Sequence, residues 1–492
     1  MSKPFLTGLA YHSKQRFGRV CLFSVLTASL VAGCGKRSPV PDPELSTVAK
    51  PNVVLIVMDT LRADRLHATR NGHMVMPFLS RMVKEGAYYT HAISPCSWTK
   101  PTMASLFTGL YPRRHGVIYS ARVEDPEHPT SDRLSDTHIT LAEHFQGAGY
   151  RTWAFQTNAN LTAPLGFAQG FAPEDYRFIN GAPAVQVTET ALKALSDGSG
   201  PFFLYAHYME PHAPYRPSSE LIQALGPLPL LTNAEQDLLD DDERFMDYYM
   251  DQVKTALGLQ AGSTHPALSS AGQVAVEHYY DLECHGMDAA IQGLVEGIRG
   301  THPETLFIFV SDHGEEFWER GGMGHGTTLH QEQIHVPLIL VGPDIRPGEV
   351  GDTVSTLDLF PTLLEMLKIA GVPSDGRSLL DTADARPVFA FSRGPWPALG
   401  VEVDGVYFDD YAYISGGDNG TAALYHLPSD GDEEHDLRLQ RPDVASKLDE
   451  ILSGHRVRVG AAGSNDAMPI DEDTREALNA LGYVDDPKRQ GD

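Results

Sequence analysis

Two adjacent residues at the start of a predicted helix, Thr99 and Lys100, are candidates for a reaction with an ester substrate. They precede a short apolar helix candidate at residues 101–109, inside the stretch 94–116. Pro101 suits the first helical turn, because its missing N–H would have no intrahelical partner there. The free N–H groups and the positive dipole end favour an anion, so a hydroxyl at residue 99 could attack a phosphate or sulfate ester. An ordinary helix N-cap is the alternative role for Thr99.

Carboxylates and a histidine follow two predicted buried strands. Asp59 comes directly after the apolar run 53–58, and Asp312 and His313 follow the run 305–310. Ligands collect outside the carboxyl ends of strands in open α/β sheets, so these side chains are candidate metal ligands. Helix-capping carboxylates and a packed histidine are the structural alternative.

Two further histidines lie in predicted loops. His212 stands between Pro211 and Pro214, and His325 lies in the glycine-rich loop 321–326. Flanking prolines would hold the His212 loop in place, which a general acid requires. A structural role is the alternative for His212.

The elements that must position these residues alternate along the chain. Buried strands are predicted at the apolar runs 53–58, 150–155, 201–208, 305–310 and 338–341. Helical patterns lie between them, at 76–84, 140–149 and 278–298. From about residue 387 the pattern changes to short alternating segments at 388–391, 400–403, 411–414 and 423–427, with a last helix candidate at 476–484.

Composition limits the classes of partner. The chain has 492 residues, 42% of them hydrophobic, which supports a sizeable core. Its formal net charge of −27 argues against a nucleic-acid-binding surface, which needs a basic patch. No nucleic-acid partner is therefore expected. Cys96 and Cys284 are too few for a disulfide framework, and whether they pair is open.

Residues 1–33 are typical of a lipoprotein signal peptide. Three basic residues precede a short apolar run at 20–32, and residues 30–34 resemble a bacterial lipobox ending at Cys34. Cleavage before Cys34 and its acylation would anchor the protein to a membrane of the bacterial cell envelope, at the periplasm or cell surface. Residues 34–50 would form a tether. An ordinary signal peptide or a short anchor is the alternative.

The stretch around Thr99 resembles the signature of the sulfatase family, a branch of the alkaline-phosphatase superfamily. The family writes C-x-P-x-R-x-x-L-x-T-G-x-Y-P-x-R-H-G, and residues 99–116 read TKPTMASLFTGLYPRRHG. The resemblance places the nucleophile at Thr99, where sulfatases carry the Cys or Ser that becomes formylglycine. Met103 replaces the Arg that this conversion reads. Thr99 is therefore expected to act as a plain alcohol.

The resemblance also implies the rest of the site. One divalent metal ion would be bound by Asp59, Thr99, Asp312 and His313. The Asp-His pair supplies a nitrogen ligand, which favours Zn²⁺ or Mn²⁺ and leaves Ca²⁺ possible. Catalytic roles are implied for Thr99, for Lys100 on the transferred group, and for His212 or His325 on the leaving oxygen.

The fold that the resemblance implies is an α/β sandwich with a large, mainly parallel central sheet and a small C-terminal antiparallel subdomain. The predicted domains are a catalytic domain at 51–385, containing an acidic helical insertion at 218–276, and the subdomain at 386–492. The expected activity is hydrolysis or transfer of phosphate or sulfate esters, of small molecules or linked to a glycan or lipid. A true sulfatase and a non-catalytic surface lipoprotein on the same fold are the alternatives.

Overall fold

The computed structural model describes residues 50–122, 129–196, 200–259, 267–381, 385–416, 422–461 and 467–484. The predicted signal peptide, Cys34 and nearly all of the predicted tether lie outside these residues. Within the described ranges, no helix combines the length and the apolar character needed to cross a membrane.

A nine-stranded mixed sheet forms the centre of the protein. Its strands are β1 (Asn52–Met58), β2 (Ala87–Ile93), β3 (Arg151–Gln156), β4 (Tyr176–Phe178), β5 (Phe202–Tyr208), β6 (Thr305–Ser311), β7 (His335–Val336), β8 (Leu338–Val341) and β9 (Gly348–Ser355). They lie in the order β7-β2-β8-β6-β1-β5-β3-β4, and β9 pairs with β2. Strand β1 is parallel to both of its neighbours, β5 and β6. The predicted large, mainly parallel sheet is confirmed.

Two strands depart from the parallel arrangement. Strand β8 runs antiparallel to β6 and β2, and β7 runs antiparallel to β2. Strand β2 itself, with the sequence AYYTHAI, is not among the predicted strands, because its polar residues at 90 and 91 interrupt the apolar run.

Helices cover both faces of the sheet. They are α1 (Pro77–Glu85), α2 (Thr99–Thr108), α3 (Leu141–Gly147), α4 (Ala184–Leu195), α5 (Asn233–Leu239), α6 (Asp242–Ala256), α7 (Ser270–Thr301) and α8 (Leu359–Met366). Alternate residues of β1 point to opposite faces. Val54 and Ile56 pack in a core with α1, α4 and α7, whereas Val53 and Leu55 pack in a second core with α2, α3 and α8. The central sheet is therefore buried on both sides, as its apolar strands predict.

A separate four-stranded antiparallel sheet follows in the chain, as predicted. It comprises β10 (Val388–Ser392), β11 (Val403–Phe408), β12 (Tyr411–Gly416) and β13 (Ala422–His426), in that order. Helix α9 (Pro442–Val459) packs Leu448 and Leu452 against it. The strand predicted at 400–403 is wrong, because Gly400 ends a short helical turn with φ +66° and the strand begins only at Val403.

The last described segment returns to the first part of the fold. Ala467–Pro469 pairs with Thr130–Asp132, and helix α10 (Glu472–Ala480) follows. The helix predicted at 476–484 is wrong at its end, because Gly482 takes a left-handed φ of +75° just after the helix. Tyr483 and Val484 therefore leave the helix, and both are buried.

The predicted acidic insertion contains α5, α6 and the start of α7. Its helices are amphipathic: Phe245 and Tyr249 are buried, whereas Asp240 and Glu243 are exposed. Cys96 and Cys284 are buried free thiols. The domain boundaries at 385 and 386 stay a prediction.

Candidate active site

Neighbouring strand ends bring the predicted metal ligands together. Asp59 directly follows β1, and Asp312 and His313 directly follow β6, its parallel neighbour. One ligand atom from each of these three residues lies within 4.8 Å of the others, and all three residues are fully buried. The hydroxyl of Thr99, at the start of α2, joins them, with its Oγ1 3.2 Å from Nε2 of His313.

Asp59 uses one carboxylate oxygen for the protein and leaves the other free. Its Oδ2 accepts hydrogen bonds from Nε2 of His207 at 3.0 Å and from Nδ2 of Asn158 at 2.7 Å. Nδ1 of His207 is 2.7 Å from the hydroxyl of Tyr205. Among the described residues, Oδ1 of Asp59 has no hydrogen-bond partner although it is buried.

Asp312 shows the same division of its two oxygens. Its Oδ1 accepts from the backbone N–H groups of Thr60 at 3.2 Å and His313 at 2.8 Å. Its Oδ2 is buried without a hydrogen-bond partner in the described part of the chain. Nδ1 of His313 is 2.9 Å from the carbonyl oxygen of Gly314, so it carries the proton and Nε2 presents a lone pair.

These three potential ligand atoms face one another, and the two carboxylate oxygens among them have no hydrogen-bond partner among the described residues. Nε2 of His313 is 3.6 Å from Oδ1 of Asp59 and 3.6 Å from Oδ2 of Asp312. Ligands bonded at about 2.0–2.2 Å to one tetrahedral ion lie roughly 3.4 Å apart. Buried polar atoms without partners are costly, and a cation among them would remove that cost. The residues present therefore fit a divalent cation, and His207 and Asn158 would orient the Asp59 ligand.

Burial and neighbouring groups shift the pKa values of this cluster. Burial and the charge of Asp59 raise the pKa of Asp312 well above its usual value. Burial opposes ionisation of Asp59 too, but the His207 hydrogen bond and the nearby imidazoles hold its pKa below the usual value. Burial lowers the pKa of His313 to about 3, with a smaller contribution from His325. The imidazole of His313 is thus neutral and able to act as a ligand.

The hydroxyl of Thr99 faces this cluster instead of capping its helix. Helix α2 begins at Thr99 itself, and Trp98 is the N-cap residue. Besides His313, the hydroxyl oxygen lies 3.4 Å from Nδ2 of Asn158. The carbonyl oxygen of the Asn158 amide accepts from the backbone N–H of Asn160 at 2.9 Å, so the amide N–H₂ group must point toward Asp59 and Thr99.

Lys100 lies on the other side of the helix start. Its ammonium contacts the hydroxyl of Ser131 and the carbonyl oxygen of Tyr119. The side chain is fully buried, and burial lowers its pKa to about 7. The structure does not place Lys100 in hydrogen-bond contact with the Thr99 cluster, and its role on the transferred group stays a prediction.

His212 and His325 lie together beside His313. The rings of His325 and His313 are 4.4 Å apart between centroids, and those of His212 and His325 are 5.0 Å apart. Nδ1 of His212 is 2.6 Å from the carbonyl oxygen of Ala213, and Nδ1 of His325 is 3.0 Å from Oε1 of Glu315. Each Nδ1 therefore donates its proton, and each Nε2 presents a lone pair.

The hydroxyl of Tyr483 lies within hydrogen-bond distance of both of these Nε2 atoms. The Tyr483 hydroxyl is 3.1 Å from Nε2 of His212 and 3.0 Å from Nε2 of His325. Sequence reasoning missed this residue, because it stands in a predicted helix more than 150 residues away from either histidine. It also missed His207, which reads as part of a buried strand. Asn158 could have been found, since it follows the carboxyl end of β3 as Asp59 follows β1.

A protein-family model described as Sulfatase matches residues 51–369. The chain belongs to the sulfatase family. The predicted family is thus confirmed, and so is its consequence that the protein is a hydrolase acting on sulfate or phosphate esters. The signature at residues 99–116 and the cluster of Asp59, Asp312 and His313 lie within the matched part of this sulfatase-family chain.

Relatives with differently named activities resemble this chain. Arylsulfatase K of Xenopus laevis is 23% identical over 458 residues, which cover 82% of each chain. The multifunctional alkaline phosphatase superfamily protein PehA of Trinickia caryophylli is 25% identical over 417 residues, which cover 69% of this chain and 78% of PehA.

Solved structures share the fold. A 2-O GAG sulfatase superposes with a TM-score of 0.65 at 19% identity, covering 83% of this chain and 92% of its own. The phosphonate monoester hydrolase of Silicibacter pomeroyi has a TM-score of 0.63 at 18% identity, covering 84% of this chain and 96% of its own. At these identities the likeness establishes the α/β fold of the sulfatase family.

Proposed function

We propose that this protein is a metal-dependent hydrolase or transferase of phosphate or sulfate esters with the hydroxyl of Thr99 as its nucleophile. The observation that carries the proposal is the position of this hydroxyl, 3.2 Å from Nε2 of His313 in a buried cluster with two unpaired carboxylate oxygens. The hydroxyl does not cap helix α2, which is the usual structural role of a threonine at a helix start.

Asp59, Asp312 and His313 would hold the cation, with Thr99 as the predicted fourth ligand. A divalent ion there would act as a Lewis acid, lowering the pKa of the Thr99 hydroxyl and offsetting negative charge on the ester. The nitrogen donor of His313 favours Zn²⁺ or Mn²⁺, and Ca²⁺ is possible.

Each of the other steps of the reaction is assigned to a residue of the chain. Oγ1 of Thr99 attacks phosphorus or sulfur in line, forming one bond while the bond to the leaving oxygen breaks. The amide N–H₂ of Asn158 orients Oγ1 and the Asp59 carboxylate. Because Nδ1 of His212 and of His325 already carries a proton, Nε2 of one of them first takes up the proton that the Thr99 hydroxyl loses, and the imidazolium then donates this proton to the leaving oxygen. Water or an acceptor alcohol then releases the group from Thr99.

A phosphoester is the favoured substrate class. A sulfate ester of a plain threonine lacks the hemiacetal breakdown that formylglycine allows, so its release would be slow. Met103, at the position of the Arg that the modification reads, is buried in the apolar core. A true sulfatase is the second candidate, favoured by the names of arylsulfatase K and the 2-O GAG sulfatase among the relatives.

The proposal is tested by measuring turnover of three ester substrates that share the same leaving group. Metal-free protein is supplied with Zn²⁺, Mn²⁺ or Ca²⁺ and assayed on p-nitrophenyl phosphate, bis(p-nitrophenyl) phosphate and p-nitrophenyl sulfate. We expect phosphoester turnover that Thr99→Ala abolishes and the control Thr99→Ser retains in part. Intact mass of the mature protein should show unmodified Thr99 and Cys96.

Turnover by Thr99→Ala at the wild-type rate would exclude Thr99 as the nucleophile. Turnover of the sulfate ester alone would favour the second candidate, a true sulfatase. Absence of turnover with stoichiometric metal would favour the non-catalytic alternative.

We also propose that the mature chain begins at Cys34 and is anchored by lipid to the bacterial cell envelope. The lipobox-like residues 30–34 support this, followed by a Pro- and Ser-containing tether. The protein should fractionate with membranes, and Cys34→Ala should move it to the soluble fraction. An unlipidated N-terminus, measured by mass spectrometry of the wild-type protein, would contradict the anchor.

A further inference from the structure

The end of the described chain lies inside the candidate active site. The hydroxyl of Tyr483 contacts Nε2 of His212 and of His325, the two atoms that face the leaving oxygen in the proposed reaction. Tyr483 is 2% exposed, and Thr99, His212 and His325 are 0%, 5% and 1% exposed. In this conformation no ester can place its leaving oxygen between the two histidines.

The ring of Tyr483 is held between two tryptophans. Its centroid lies 6.1 Å from that of Trp396 in a stacked arrangement and 6.2 Å from that of Trp98. Nε1 of Trp396 donates to the carbonyl oxygen of Gly482 at 2.7 Å. The segment 481–484 thus fills an aromatic-walled space whose polar end is formed by His212 and His325.

The remainder of the tail positions this segment from outside the site. Asp471 caps α10 by accepting from the backbone N–H of Thr474 at 2.8 Å, and Leu478 is fully buried. The left-handed turn at Gly482 then directs Tyr483 inward. Tyr483 lies beyond residues 51–369, the part matched by the family.

We infer that residues 481–484 form a self-inhibitory plug, in which the phenol oxygen of Tyr483 stands where the leaving oxygen of the substrate must stand. Substrate binding and the plugged conformation are mutually exclusive, because both require Nε2 of His212 and His325. This inference rests on the proposed function for the roles of those two histidines.

The hydrogen bonds that the Tyr483 hydroxyl makes to the two histidines are few enough for the plug to leave the site. The Nδ1–H groups of His212 and His325 are already donated to Ala213 and Glu315, so both Nε2 atoms present lone pairs. A phenol has one proton and can donate to only one of them at a time. The two imidazoles therefore share a single hydrogen bond from the phenol, and the hydroxyl of Thr99 is a further polar partner of Tyr483.

A cavity next to the tail gives it room to move. The cavity has a volume of about 1160 Å³. Its lining includes Thr474, Ala477 and Leu481 of the tail, and Thr157 and Pro214, which are close in the chain to Asn158 and His212. A shift of the tail toward this space would uncover the site without unfolding the sheet.

Access to residue 99 tests the plug without any assay of turnover. In full-length, metal-free protein carrying Thr99→Cys, the rate of maleimide labelling at residue 99 is measured by fragment mass. We expect labelling about tenfold faster when Tyr483→Ala is added, since the anchoring hydrogen bond and the ring are lost. The control Tyr411→Ala, on the small C-terminal sheet, should leave the rate unchanged. Equal rates with and without Tyr483→Ala would overturn the plug.

Activity supplies the second measurement. With p-nitrophenyl phosphate, we expect kcat/KM to rise about tenfold in Tyr483→Ala and several-fold in Tyr483→Phe, which keeps the ring and serves if the alanine variant does not fold. A fall in kcat/KM in Tyr483→Phe would overturn the plug and make the phenol a catalytic group. If labelling accelerates while no variant turns over any ester, the occlusion stands and the proposed function fails.

Discussion

The two sides of the candidate active site are built in different ways. On the cation side, Asp59, Asp312 and His313 follow two adjacent parallel strands, and hydrogen bonds to the protein fix each of them. On the leaving-group side, His212 and His325 come from loops, and Tyr483 comes from the last described residues of the chain. The first side is a consequence of the sheet, whereas the second depends on a segment that can leave.

This difference separates what is permanent in the site from what is adjustable. Moving Asp59 relative to Asp312 would require breaking the β1–β6 ladder. Moving Tyr483 requires only the loss of contacts at the end of α10. Changes on the cation side should therefore abolish function, and changes on the leaving-group side should alter rate and access.

The largest effect is expected from Asp312→Asn. This change replaces an anionic donor by a neutral amide, and turnover should fall by about 10³-fold or more because Lewis-acid stabilisation is lost. Bound metal, measured by plasma emission spectrometry after gel filtration, should fall with it. Glu319→Gln, at a partly exposed carboxylate paired with Arg62, is the control. Full metal content together with full activity in Asp312→Asn would show that the cation side is misassigned.

His207→Ala should have the next largest effect. His207 donates to Oδ2 of Asp59 and so directs the other oxygen toward the cluster. Loss of such an orienting partner typically lowers metal affinity by about 10–100-fold. Competition with a chromophoric chelator measures this affinity, and Asn158→Ala should behave similarly. Unchanged affinity in both variants would mean that Asp59 is held by the strand alone.

His212→Ala tests the leaving-group side. A general acid matters most for a leaving group that departs poorly as an anion, where its loss costs about 10²–10⁴-fold. We expect alkyl phosphates to lose much more kcat/KM than p-nitrophenyl phosphate. His325→Ala, compared on the same two substrates, shows which imidazole carries the proton. Equal losses on both substrate classes in both variants would leave neither histidine as the acid.

The smallest effect concerns the pH dependence of stability. Burial lowers the pKa of Lys100 from 10.5 to about 7, so between these values the unfolded chain binds a proton that the folded protein does not. Stability therefore rises with pH across this window, by up to about 1.4 kcal/mol per pH unit. Lys100→Met should remove this rise.

Urea unfolding at pH 7 and pH 9 measures that slope, with Lys447→Met as the control at an exposed lysine. An unchanged slope in Lys100→Met would show that Lys100 is charged when buried. A selective loss of turnover would instead favour the role on the transferred group that the sequence predicts.

The cation side could be predicted from the sequence because short stretches of sequence determine where its residues lie. Apolar runs mark β1 and β6 as buried strands, and the polar residues that follow each run must lie at the sheet edge. Thr99 could be placed by its signature and by Pro101. The direction of the Lys100 side chain could not be predicted, because at a helix start it can point either toward the Thr99 cluster or toward Tyr119 and Ser131.

The leaving-group side could be predicted only in part. His212 is flanked by prolines that mark an ordered loop, but nothing near it indicates Tyr483. The pattern at 476–484 favours a continuing helix, and only the left-handed turn at Gly482 shows that it stops. Such long-range docking depends on the shape of the aromatic-walled space, which no local pattern encodes.

The pairing of Ala467–Pro469 with Thr130–Asp132 has a kinetic consequence. The plug cannot diffuse away because it belongs to the same chain, and this pairing shortens its tether, so its effective concentration is in the millimolar range. Dilution cannot relieve such inhibition, in contrast to a separate inhibitor protein. Specific activity should therefore be the same at nanomolar and micromolar enzyme.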